Sequence, residues 1–101
     1  MTTATDLITE LVRAANNIGR IEHGQRRRLI ERADETIREM RIETGEPASP
    51  HERDLVIDIF TIGSHADDQP DTNCARAMLD AADLIRTLHI VLDERRRRPR
   101  R

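Results

Sequence analysis

The chain has 101 residues, 37% of them hydrophobic and 36% charged, with a net charge of −2. That suffices for one domain with a modest core and a heavily solvated exterior. Phe60 is the only aromatic residue, so the core is aliphatic and the stacking platforms that bind single-stranded nucleic acid or RNA are excluded.

Taken in chain order, Leu7, Ile8, Leu11, Val12, Ala15 and Ile18 recur at three- and four-residue steps and mark a first amphipathic helix. Thr3 and Asp6 are spaced for a capping pair at its start. Gly19, in "NNIG", is suited to the left-handed conformation that ends a helix. A second stripe through Leu29, Ile30, Ala33, Ile37 and Met40 predicts another helix, closed by Gly45 with Glu46-Pro47 behind it.

The third segment contains "LVIDIFTI", rich in β-branched residues that favour strands. Its entry points the other way. Ser49 as N-cap, Pro50 at the first helical position and Glu52 as a capping acid make a helix start. A helix this apolar is expected to be the central, most buried one.

After the polar loop "GSHADDQPDTN", a long stripe through Ala77, Met78, Ala81, Leu84, Ile85, Leu88, Val91 and Leu92 predicts a last helix from about Asp71 to the arginines. The expected fold is all-α: a small four-helix bundle-like domain over 1–94, with a long C-terminal helix and a disordered, arginine-rich tail over 95–101. The last helix, at ~25 residues, spans on the order of 38 Å, against on the order of 21 Å for the third. A stripe that outruns its partner needs another surface. Leu84, Leu88, Val91 and Leu92, with Arg95, Arg96, Arg97 and Arg98, are therefore the expected interface with a second copy or another protein.

Charge is unevenly placed. Residues 1–94 hold eleven arginines against nineteen acids, net −8, and residues 95–101 hold six arginines and no acid. Such a tail suits a helix C-terminus electrostatically, and it also offers contacts to nucleic acid or to an acidic partner. Every basic residue is Arg, as GC-rich coding in a bacterial or phage genome would produce. Arg26, Arg27 and Arg28 follow Gly24 in the arrangement of a recognition-helix start, and are candidate nucleic-acid contacts. Glu31, Asp34 and Glu35 follow at once and would repel a phosphate backbone.

Cys74 is the only cysteine, so no intrachain disulfide forms and a reducing compartment is expected. With no basic leader segment and no apolar run of membrane-spanning length, a cytoplasmic location without membrane association is expected. Its place among Met78 and Ala81 on an apolar face makes the thiol structural. His65, Asp67, Asp68 and Asp71 share a loop, but in no metal-ligand spacing. No phosphate loop and no Ser/His/Asp order occurs.

"LDAADLIRTL" resembles the second half of the ExxE…ExxD pattern of the MazG-like all-α nucleotide pyrophosphohydrolases, with Asp80 and Asp83 in its acidic places. Asp54 and Asp58, or Glu31 and Glu35, stand where the first half would be. The resemblance implies a magnesium site and nucleotide hydrolysis. It departs from the family in having Asp for Glu, and the helical wheel turns Asp80 and Asp83 away from the Ala81/Leu84/Leu88 stripe. The expectation is therefore no enzyme, no cofactor, no catalytic residue and no metal ligand. The sequence reads as a protein–protein interaction module, a regulator or inhibitor acting through an acidic helical surface.

Overall fold

A computed structural model describes residues 3–97. Four helices follow one another: α1 (Ala4–Asn16), α2 (His23–Thr44), α3 (Pro50–Ser64) and α4 (Asp71–Arg97). Short 3₁₀ turns at Ile18–Arg20 and Ala66–Asp68 join α1 to α2 and α3 to α4. Among the described residues there is no strand, so the fold is all-α. No helix among them is long and apolar enough to cross a membrane.

Local chemistry sets most helix ends. The Thr3 hydroxyl accepts the Asp6 N–H at 3.1 Å, and the Asp6 carboxylate accepts the Thr3 N–H at 3.4 Å. This reciprocal pair satisfies two amides that a helix start leaves open. Ser49 accepts the Glu52 N–H at 3.2 Å, with Pro50 just inside α3. The Glu52 carboxylate does not close the box; it turns to Arg41 of α2. Gly45 closes α2 at φ 69°, a conformation costly for a residue with a Cβ.

Gly19 behaves differently from expectation. α1 stops at Asn16, the Asn17 side chain donates to the Arg13 carbonyl at 2.9 Å, and Gly19 sits in the 3₁₀ turn without a positive φ. The side-chain amide satisfies a terminal carbonyl, so no left-handed glycine is required there.

Ion pairs at the helix ends fix the topology. Arg26, near the start of α2, meets Asp71 at the start of α4, and Arg95, near the end of α4, meets Thr44 and Glu46 beyond the end of α2. α2 and α4 therefore run parallel. α1 runs antiparallel to α2, its Glu10 reaching Arg32, and α3 runs back against α2 and α4, with Glu52 near Arg41 and Asp58 near Arg76. The chain goes up, down, up and down, as short connections favour in a bundle.

α4 is the central helix. It packs against each of the other three and buries Cys74, Ala77, Met78, Ala81, Ala82, Leu84, Ile85, Leu88 and Leu92. The small residues in its first half let neighbouring backbones come close. α3 buries only Ile59, Ile62 and Gly63, which corrects the expectation that it is the most buried helix. Its apolar residues lie on two faces, and one face has no cover. Gly63 marks a second close approach: a Cβ there would stand 2.7 Å from Ile30 Cγ2.

The stripe of α4 is also placed differently from expectation. Leu88 is 1% exposed, and Leu84 and Leu92 are buried within this same chain; Val91 is half-buried. At 22 residues, α2 spans roughly 33 Å and runs parallel to α4, so the long stripe is covered from within. The comparison with the shorter α3 alone had left this cover out. α4 also continues to Arg97, three residues past Glu94, because Arg95 and Arg96 find partners on α2 and just beyond it.

Candidate functional site

Arg26, Arg27 and Arg28 are three consecutive arginines with three different roles. Arg26 is 3% exposed. Its Nε donates to the Ile21 carbonyl at 2.9 Å, Nη2 to the Ile18 carbonyl at 2.7 Å and Nη1 to Asp71 at 2.8 Å. Burial works against its charge, but the carboxylate of Asp71 outweighs it and holds the guanidinium above its ordinary pKa. Arg26 thus ties the α1–α2 turn to the start of α4. It is not available to a nucleic acid, which corrects that assignment. Arg27 pairs with Asp67 at 2.7 Å and is partly covered. Arg28 is exposed and faces the cleft between α1 and α2.

The expected interface on α4 dissolves for the same reason. Leu84, Leu88 and Leu92 are core, as the fold requires. Arg95 donates to the Thr44 carbonyl and pairs with Glu46 at 2.6 Å, and Arg96 lies 3.6 Å from Glu43. These arginines close the C-terminal end of α2, whose carbonyls need donors. Arg97 is exposed, and Arg98 lies outside the described residues.

The carboxylates that resemble half of a magnesium motif are drawn to arginines. Asp83 is exposed and pairs with Arg86 at 2.9 Å, while Asp58 pairs with Arg76 at 3.4 Å. Asp80 is half-buried, and burial raises its pKa, with Arg76 opposing and Asp58 and Asp83 adding to the rise. Among the described residues no three His, Cys, Asp or Glu side chains gather in a group that could hold a metal ion. Cys74 is a fully buried free thiol within the core cluster.

Much of the acidic surface is occupied in this way. Glu10, Asp34, Glu43, Glu46, Glu52, Asp58, Asp67, Asp71 and Asp83 each pair with an arginine. Exposed pairs contribute little to stability, but they leave the body with less free negative charge than its composition suggests.

One surface is unlike the rest. Between α2 and α3 runs an apolar groove of ≈ 490 Å³, lined by Ile37, Ala48, Val56 and Ile57, with Ile42 on one lip and Arg38, Arg41 and Arg53 along its edges. Ile42 is 79% exposed and Ile57 63%. Phe60, 50% exposed, continues the apolar strip along α3, and the Arg38 guanidinium stands 5.7 Å from its ring centroid. Arg38 also donates to Asp34 at 3.0 Å. The other Asp34 oxygen is buried without a hydrogen-bond partner, and burial raises its pKa against the opposing pull of Arg38.

This groove is absent from the sequence-based candidates, although a signal for it exists. "LVIDIFTI" carries apolar residues on more than one face of the helix, and a helix in a domain of this size cannot be covered on every side. Leu55, Ile59 and Ile62 repeat at the spacing of one face; Arg53, Ile57 and Phe60 repeat at the spacing of the other.

Comparison with protein-family models, with curated proteins and with solved structures gives no match for the chain. The reading of function therefore rests on the geometry above.

Proposed function

We propose that the protein is a non-enzymatic interaction module that docks an amphipathic helix of another protein in the groove between α2 and α3. The observation that carries this reading is the exposed apolar pair Ile42 and Ile57 in one groove, with Phe60 exposed one helical turn beyond Ile57 on α3. Contiguous apolar surface rimmed by polar residues marks binding faces, and a helix laid in a groove is a recurrent way to use one.

The rim indicates which helix fits. Three arginines edge the groove; Arg41 is paired with Glu52 and Arg38 with Asp34. Arg53 has no ion pair among the described residues. An occupant with acids beside its apolar stripe complements this edge, and one with basic flanks is repelled. The tail of the same chain is a poor occupant for that reason. A regulator or inhibitor acting through this groove fits the small size of the protein; the acidic surface expected from composition is then secondary.

The magnitudes favour a transient partner. Burying Ile42, Ile57 and Phe60 is worth at most about 5–9 kcal/mol together. Association costs about 4–15 kcal/mol in lost freedom, so charge complementarity must supply part of the affinity.

Two labelled helical peptides test this, each with leucines at i, i+3, i+4 and i+7, one flanked by Glu and one by Lys. Fluorescence anisotropy should show saturable binding of the Glu peptide, loss of it in Ile57→Asp, and no binding of the Lys peptide. Equal binding of both peptides, or binding unchanged in Ile57→Asp, would discard the proposal. A homodimer in sedimentation that Ile57→Asp dissociates would assign the groove to a second copy and also overturn it.

A further inference from the structure

We propose that the cleft between α1 and α2 binds a small soluble phosphate monoester, held by Arg13, Arg28 and Arg32 above a floor of Ala14, Ile21 and Leu29. α1 packs mainly on α4 and only lightly on α2, so the two helices splay and leave a cleft of ≈ 510 Å³. That volume is within the usual range for small-molecule sites, about 300–1,000 Å³.

The walls of this cleft are basic, as are the edges of the groove between α2 and α3. Nine of the described arginines sit in ion pairs with acids. Arg13 and Arg28 have no ion pair among the described residues, and both line this one cleft. Glu10 is the single acid in the lining; it pairs with Arg32 at 3.1 Å. Three guanidiniums against one carboxylate leave a net charge of +2, the complement of a phosphate dianion. Guanidinium forks bind phosphate oxygens in pairs, with charge-assisted bonds about twice as strong as neutral ones. Gln25 adds a donor, since its oxygen already accepts the Glu22 N–H at 3.3 Å and its amide nitrogen remains.

The floor decides what the phosphate is attached to. Ala14, Ile21 and Leu29 offer aliphatic contact and no aromatic face, so the ester carries an apolar group that rests on them. An extended nucleic-acid backbone fits less well, because Glu22 at the N-cap of α2 and Glu31 within α2 are exposed and repel successive phosphates. A single group seated between the arginines avoids them.

The test is an NMR titration of the arginine Nε–Hε signals with inorganic phosphate and with phenyl phosphate, at constant ionic strength. Saturable shifts of Arg13, Arg28 and Arg32 are expected, with phenyl phosphate binding about tenfold more tightly, since its ring removes apolar surface from water. Arg13→Gln and Arg28→Gln should each weaken phenyl phosphate roughly tenfold, the loss of one charge-assisted contact, while Arg53→Gln leaves it unchanged. Shifts that do not saturate, equal affinity for the two probes, or indifference to Arg28→Gln would each overturn the proposal. Competition by vesicles containing phosphatidic acid, or by duplex DNA with the same arginine dependence, would move the site to a lipid or a backbone and overturn the soluble-ester assignment.

Discussion

α3 and α4 are both apolar helices, yet they use their apolar residues in opposite ways. α4 has one long stripe and neighbours along its whole length, so Leu84, Leu88 and Leu92 are core. α3 has two apolar faces and neighbours on one of them, so Ile59 and Ile62 are core and Ile57 and Phe60 are surface. The lesson is that burial depends on the supply of cover. A helix with more apolar faces than its neighbours can reach leaves apolar side chains exposed, and a long helix with enough neighbours does not.

The contrast can be broken most directly by cutting equal side chains from the two helices. Leu88→Ala should destabilise the protein by about 2–5 kcal/mol, the cost of an unfilled cavity, in urea unfolding. Ile57→Ala should change stability by less than about 0.5 kcal/mol, as surface substitutions do, because its side chain is mostly in water. Equal losses would mean that α3's outer face is covered in solution.

The anchoring of α4 comes next in size. Arg26→Gln takes the guanidinium donors from the Ile18 and Ile21 carbonyls, of which Ile18 keeps the Ile21 N–H, and leaves Asp71 without its ion pair. A loss of about 2–4 kcal/mol is expected, from the cost of buried groups left unsatisfied and hydrogen bonds to a charge. Hydrogen exchange should then accelerate at the start of α4 ahead of its centre. Uniform acceleration would show that the arginine is not a local anchor.

Gly63→Ala sharpens the comparison from the inner face of α3. The added carbon meets Ile30 Cγ2 at 2.7 Å, so α3 must shift away from α2 or Ile30 must move. About 1–3 kcal/mol of destabilisation is expected from overpacking, despite the helix preference for alanine. The same exchange at Gly24, where the added carbon meets nothing, should be neutral or stabilising.

The smallest effect is expected at Asp34, beneath the rim arginine Arg38. Burial raises its carboxylate pKa in the folded state, so the proton is held more firmly there than in the unfolded chain. Its contribution to stability is therefore full below the unfolded pKa and is lost as pH rises through the folded one. Asp34→Asn should be neutral to stabilising at pH 7, with the difference shrinking as acid protonates the wild-type carboxylate. Denaturation at neutral and acidic pH measures this. A variant less stable at pH 7 by as much as a broken buried pair would show that the bond to Arg38 outweighs desolvation.

Several parts of the structure were legible because their causes lie within a few residues. Thr3 with Asp6, Ser49 with Pro50 and Gly45 each act over one helical turn. The β-branched run in α3 was read correctly as helix for the same reason, since its entry signal is local. Arg26 was misread because its partners, Ile18, Ile21 and Asp71, come together only when the α1–α2 turn meets α4. From the sequence it is one of three adjacent arginines, and nothing local separates it from Arg28.

The sequence by itself determined the number of α-helices, the caps at Thr3, Ser49 and Gly45, and the aliphatic character of the core. Those follow from backbone preferences and side-chain periodicity, which are short-range. Only the tertiary structure decided which helix is central, which arginines are internal and which apolar residues have no cover. Those depend on the parallel placement of α2 beside α4, and on the splay of α1 away from α2. Both are set by contacts between residues far apart in the chain, whose energies appear only when the helices meet.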